Sequence, residues 1–212
     1  MENVLKSLQE LKEESSPFPQ SKAIQVWKRQ GEKVIGWICT YIPEELIAAA
    51  GILPVRVTGW KAEDIIEADA YLYTNICSFA RSCLEVGLKN EYNFLDGIVA
   101  GTSCDPIRRL YDVWNNYLTT PFRQIMSVPH KITPDSEAFF VGEIQRLKEG
   151  IEKHFGVTIG EDALRETIQV YNRGRELLKK LYDLRKGEIP LVSGEEVMEV
   201  IQASMRMPRP DF

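Results

Sequence analysis

Between residues 33 and 128 the chain repeats one phrase: a short apolar run, a turn, then an amphipathic stretch of helical length. The apolar runs fall at 33–38, 53–57, 70–73, 95–101 and 123–128, and all are too short to be buried helices. Between them stand three helical stretches. The first, 43–50, carries Pro43 in its first turn; the others are 78–88 and 105–117, where Asp105-Pro106 forms an N-cap and first-turn pair. Strands that alternate with helices pair with one another in parallel, each helix serving as the crossover. The pattern predicts an α/β fold built on a doubly wound parallel sheet.

Helices flank this block. Val4, Leu8 and Leu11 are spaced for one helical face over 2–14, and the segment Ser-Ser-Pro-Phe-Pro-Gln (15–20) breaks it. A second helix is expected from Ser21 to Gln30, with Ile24 and Trp27 on one face and Gly31 as its stop. After Thr133-Pro134 only the 3.6 period remains. Val141, Ile144, Leu147, Ile151 and Phe155 keep it up to Gly156, and further helices are expected at 163–186 and 195–205. The expected organisation is N-terminal helices (1–32), an α/β domain (33–132) and a helical C-terminal extension or linker (133–212).

Composition narrows the function class. In 212 residues the net charge is −5, without the basic excess of a nucleic-acid surface. The most apolar run, 46–57, is interrupted by Gly-Ile-Leu-Pro and is too short to span a bilayer. The start, MENVLKSLQELKEESS, is acidic and amphipathic, with no apolar signal region, so a cytoplasmic protein with no membrane partner is expected. Four cysteines in a reducing compartment point to metal, redox or packing roles before disulfides.

Position separates those cysteines. Cys39 follows the run ending at Ile38, Cys77 follows 71–76 and precedes Ser78, and Cys104 follows 98–101 and precedes Asp105-Pro106. Each is expected after a strand and at the opening of a helix. In a parallel sheet those turns share the carboxyl edge, where open α/β folds bind ligands. A helix N-terminus favours thiolate over thiol, and thiolates are what soft metals and iron–sulfur clusters take. Cys83 falls inside the 78–88 stretch and reads as a packed small hydrophobe. Packing remains the alternative for the other three, since no compact CxxC spacing exists. Of the two histidines, His154 reads as exposed and mid-helix, while His130 follows Val-Pro at a strand end and can face the site. Two histidines argue against a His-based zinc enzyme or hydrolase triad. No GxGxxG or Walker loop is present. Trp27, Trp37, Trp60 and Trp114 read as core and interface aromatics. Glu44 and Glu45 open a helix, where the dipole favours acids whatever their role.

The stretches CTYIPEELIAAAGILPV (39–55), NICSFARSCL (75–84) and TSCDPIRRLYDVW (102–114) resemble the family of 2-hydroxyacyl-CoA dehydratase and benzoyl-CoA reductase subunits. The likeness is dense as far as the Val-Pro near residue 129 and loose over the helical tail. The wording SFARS and CDPIRRLY is closer to the benzoyl-CoA reductase branch. The resemblance implies a heterodimer of similar subunits, each holding a 4Fe-4S cluster on three cysteines, in anaerobic metabolism. A separate ATP-hydrolysing activator protein donates low-potential electrons to it. Dehydratases of the family remove water from a 2-hydroxyacyl-CoA through a ketyl radical, and the reductases partly dearomatise benzoyl-CoA. By the same resemblance Cys77 and Cys104 match cluster-ligand positions, and Cys39 matches the first family cysteine, as a ligand or a wall of the site. Tyr41, Pro43 and Glu45 match a Tyr-x-Pro-x-Glu phrase, which makes Tyr41 and Glu45 the candidate catalytic residues. Arg81, Arg108 and Arg109 are either solvated surface or contacts for CoA phosphates.

Family subunits are longer and carry a second α/β domain after the helical linker, whereas this sequence stops at RMPRPDF. The expectation is therefore a subunit, or its N-terminal half, of an iron–sulfur acyl-CoA dehydratase or reductase, incomplete without a second subunit or a C-terminal half. Two other readings stand beside it. One is a non-catalytic partner or assembly module that binds no cluster by itself; the other is a thiol-dependent redox or zinc-binding protein.

Overall fold

The computed structural model describes residues 2–60 and 62–212, with side chains described from Ser7 onward except at position 61. Two helices, α1 (Glu2–Glu14) and α2 (Lys22–Arg29), lead into β1 (Val34–Ile38), α3 (Glu44–Ala49), β2 (Leu53–Arg56), α4 (Ser78–Leu88), β3 (Gly97–Gly101), α5 (Asp105–Tyr117) and β4 (Phe122–Met126). Then come α6 (Pro134–Phe155), α7 (Glu161–Asp183) and α8 (Gly194–Ser204). The Val4 side chain expected on the α1 stripe lies outside the described ones.

Among the described residues the sheet has four strands, all parallel, in the order β2-β1-β3-β4. The expected doubly wound sheet with a helical C-terminal part is what forms. Ile24 of α2, Leu84 of α4, and Leu110 and Trp114 of α5 cover one face with Val34, Ile38, Val55 and Ile98. Leu46 and Ile47 of α3 and Leu147 and Ile151 of α6 cover the other with Ile35, Trp37, Val99 and Met126. Each fully buried Leu or Ile adds about 1.5–3 kcal/mol relative to exposure, which makes these two layers the main stabilising element. The strand residues are apolar throughout β1 and β3 because both faces are covered.

The helix ends follow local chemistry. Ser21 caps α2 by accepting a hydrogen bond from Ile24 N at 3.2 Å. Thr133 caps α6, Pro134 occupies its first turn, and Gly156 closes it in the left-handed region at φ 69°. Ser193 and Glu196 form a capping box on α8.

Several expectations need correction. The run 70–73 is not a strand: a 3₁₀ turn at Ala68–Ala70 runs into further turns. Only Leu72 is buried there, between exposed Tyr71 and Tyr73, and Leu72 N donates to Ala68 O at 2.8 Å as one helical turn would. The buried Glu85 carboxylate takes the Ala68 N–H at 2.7 Å, so α4 holds this turn where a strand would need a sheet partner. Pro43 is the N-cap of α3, not a first-turn residue. His154 lies in the last turn of α6, its ring 5.2 Å from that of Phe122, not mid-helix. Val141 is 60% exposed, while Ile144, Leu147, Ile151 and Phe155 of the same stripe pack on the sheet. Trp60 is 58% exposed and not part of the core.

Candidate functional site

In the order β2-β1-β3-β4 the chain leaves β1 for one neighbour, β2, and later returns to its other side as β3. The carboxyl ends of β1 and β3 therefore flank the topological switch point, the crevice where ligands bind in open α/β sheets. Cys39 directly follows β1 and Cys104 follows β3 and its short turn, so two of the expected residues stand on either side of that crevice. A Cβ placed on Gly101, the last residue of β3, would meet Cys39 Cβ at 3.8 Å, which puts Cys39 against the neighbouring strand. Cys39 has φ 83°, a conformation unusual for a residue with a side chain, and its carbonyl accepts from Ile42 N at 3.2 Å in a tight turn. It is not at the opening of a helix, because α3 begins only at Glu44.

Cys104 is the N-cap of α5 and Cys77 the N-cap of α4, and neither side chain caps its helix. Both thiols are exposed, while Cys39 is half-buried. The two helices pack against each other, and each leads into a strand of the same parallel sheet. Cys77 follows the irregular 68–76 segment instead of a strand, which corrects the expectation that all three follow strands. First-turn N–H groups of α4 and α5 lack intrahelical partners and offer positive potential at both thiols. Cys83 is fully buried, and burial pushes its thiol up to about 12, which makes it an inert packing residue.

The other expected residues divide between ion pairs and open surface. Glu45 is held by Arg175 of α7, and its carbonyl accepts from Thr167 Oγ1 at 3.2 Å. Glu44 pairs with Arg209 at 3.4 Å, and burial pushes its carboxyl up to about 6 against the pull of that guanidinium. Tyr41 is 54% exposed and rims an apolar groove of about 250 Å³ with Val128, Ile132 and Phe140. His130 is exposed beside that groove. Arg81 is committed to Asp69, and Arg109 to Asp105 and Asp112 at 3.2 Å each, whereas Arg108 is exposed.

One residue at this edge has no sequence motif to announce it. Arg56 ends β2, and its guanidinium lies over the Trp37 ring at 4.8 Å; its charge acts on the Glu44 carboxylate without a close ion pair among the described residues. The one signal is its place in the fold, a cation closing an otherwise apolar strand.

Among the described residues no three His, Cys, Asp or Glu side chains form a group that could hold a metal ion, so no closed single-ion site is present. A cubane differs, since each thiolate meets its own iron and the sulfurs need not converge on one point. Cys39 and Cys104 flank the switch point and Cys77 opens α4; three thiols free of disulfides are donors of the kind such a cluster takes.

The comparison with protein families decides the lineage. Residues 39–212 match the family described as 2-hydroxyglutaryl-CoA dehydratase, D-component. The chain belongs to this family. Its family segment begins at Cys39 and takes in all three edge cysteines together with α6 to α8. Among known proteins it is similar to a subunit of the benzoyl-CoA reductase of Thauera aromatica, 33% identical over 88% of this chain and 49% of that one. It is 26% identical to the beta subunit of (R)-2-hydroxyglutaryl-CoA dehydratase of Acidaminococcus fermentans, over 88% of this chain and 50% of that one. The beta subunit of lactoyl-CoA dehydratase of Anaerotignum propionicum is 28% identical over 75% of this chain and 42% of its own. These relatives are subunits of enzymes named for CoA thioesters, and the chain spans about half the length of each.

Proposed function

We propose that this chain acts as the N-terminal half, or a separate short subunit, of an acyl-CoA dehydratase or reductase. In this reading Cys77, Cys104 and Cys39 hold a [4Fe–4S] cluster. The observation that carries it is the placement of Cys39 and Cys104 on the two sides of the switch-point crevice, with Cys77 at the neighbouring helix N-terminus. When bound, such a cluster supplies low-potential electrons and one open iron that acts as a Lewis acid.

The chain's own residues would shape its surroundings. First-turn N–H groups of α4 and α5 would stand as hydrogen-bond donors beside Cys77 and Cys104. Val128, Ile132 and Phe140 offer an apolar wall beside Tyr41 on which an acyl group can rest. The Tyr41 hydroxyl can donate a hydrogen bond to a thioester oxygen at the crevice. Glu45 acts as acid or base only when its pair with Arg175 opens. A second homologous subunit or a C-terminal half closes the exposed side, and an ATP-dependent activator protein delivers the electrons. The compartment is the cytoplasm, and the working division remains 1–32, 33–132 and 133–212. The half-length match to the relatives favours one further reading, an assembly module that binds no cluster alone.

The test is electron paramagnetic resonance of the anaerobically reconstituted and reduced chain, with and without ligand. A CoA thioester such as lactoyl-CoA or benzoyl-CoA should perturb the signal, and the corresponding free acid should not. An unchanged signal with both thioesters would contradict the acyl-CoA reading.

A further inference from the structure

Away from the cysteines, a cavity of about 410 Å³ opens between α1, α8 and the loop after β2. Arg206 stands in its wall and is only 7% exposed. Its backbone is fixed on both sides, the N–H donating to Ala203 O at 3.0 Å and the carbonyl accepting from Ser21 Oγ at 2.9 Å. Its guanidinium lies over the rings of Phe18 at 4.6 Å and Trp60 at 5.6 Å. No carboxylate or carbonyl takes its N–H groups among the described residues. Those nitrogens are not sealed in the core either, so they reach the cavity.

This is an anomaly for a charge. Buried arginines are almost always paired, and stacking on rings leaves the in-plane N–H donors unused. Arg81, Arg175 and Arg209 of this chain show the ordinary solution, each with its own acid. At the cavity rim Lys12 and Glu199 neutralise each other at 2.5 Å. Gln202 and Ser16 add neutral polar groups, and Trp60 leaves part of its ring exposed. The place is suggestive too. Arg56 N at the carboxyl end of β2 donates to Met205 O at 3.1 Å, so the cavity stands beside the same sheet edge as the cysteines.

We propose that this cavity is a phosphate site, with Arg206 as the forked donor to the phosphate oxygens. The exposed ring of Trp60 would stack a planar base, and Glu195 at the rim would accept from a sugar hydroxyl. The shared chemistry is a phosphate dianion or monoester, whose source is either the nucleotide end of CoA or free phosphate. The CoA source rests on the acyl-CoA reading above; the phosphate site does not.

The test is titration of the full chain, free of iron, with CoA, dephospho-CoA and inorganic phosphate, followed by calorimetry. Two variants accompany it. Arg206→Gln removes the donor, and Gln202→Glu keeps Arg206 packed while giving it an internal carboxylate that competes for the site. Saturable binding is expected, weakened about tenfold or more in both variants, with Gln202→Glu melting as the parent does. CoA binding tighter than the other two assigns the site to CoA, and equal binding of phosphate assigns it to the free anion; both support the site. No saturable binding of any of the three, or binding indifferent to Gln202→Glu, overturns it. Because no iron is present, this failure would leave the cluster reading intact, and a failed reconstitution would leave this one intact.

Discussion

Cys77 and Cys83 share α4 yet sit in opposite environments, one exposed at the N-cap and one fully buried. Under native conditions at neutral pH, an alkylating agent should label Cys77 and Cys104 and leave Cys83 untouched until the chain unfolds, read by peptide mass mapping. Cys83 was legible as packing because it falls inside a helical stretch. Glu44 was not legible as special. The sequence shows two adjacent acids at a helix start, and the one pressed against Arg209 is chosen by a residue 165 positions away. Burial raises the Glu44 carboxyl from 4.5 to about 6, so the folded state takes up this proton more readily than the unfolded chain. That stabilising contribution is present below pH 4.5 and is lost as pH rises through about 6. Relative to Glu44→Gln, the parent chain should lose about 2 kcal/mol of unfolding free energy between pH 4.5 and 7, measured by denaturant titration at each pH. A difference that does not vary with pH would contradict this assignment.

At the scale of elements, α4 and α5 are legible because Ser78 and Asp105-Pro106 stand at their starts and apolar residues recur through both. The misread run at 70–73 has the strand signature of alternation, Tyr71 out, Leu72 in, Tyr73 out, but no neighbouring strand to pair with. Alternation over three residues cannot separate a strand from a turn anchored by one buried Leu. The loop after β2 shows a constraint that no pattern displays. Gly59 passes so close to α4 that an added Cβ would lie 2.0 Å from Ser82 Oγ and 2.6 Å from its backbone carbon. Gly59→Ala should therefore destabilise by about 1–3 kcal/mol, the range for overpacking a tight contact. In a chain of 212 residues this corresponds to a fall of roughly 2–10 °C in the thermal midpoint. Scanning calorimetry of Gly59→Ala checks it, and a midpoint equal to the parent's would contradict the close contact.

For the whole molecule, the sheet order decides more than any motif. Alternating strands and helices made a parallel sheet legible, but the order β2-β1-β3-β4 was not, and the order places the crevice between Cys39 and Cys104. Without it, cysteines 65 positions apart in the numbering are only residues that happen to follow apolar runs. The family match then supplies the lineage, and the chain spans about half the length of the relatives it matches. The most direct measurement is iron and acid-labile sulfide per chain after anaerobic reconstitution, for the parent and for Cys39→Ala, Cys77→Ala, Cys104→Ala and Cys83→Ala. One [4Fe–4S] cluster per chain requires about four of each in the parent and in Cys83→Ala, with loss of most of both in Cys77→Ala and Cys104→Ala. Retention of iron and sulfide in Cys77→Ala and Cys104→Ala, or their absence from the parent, would contradict it.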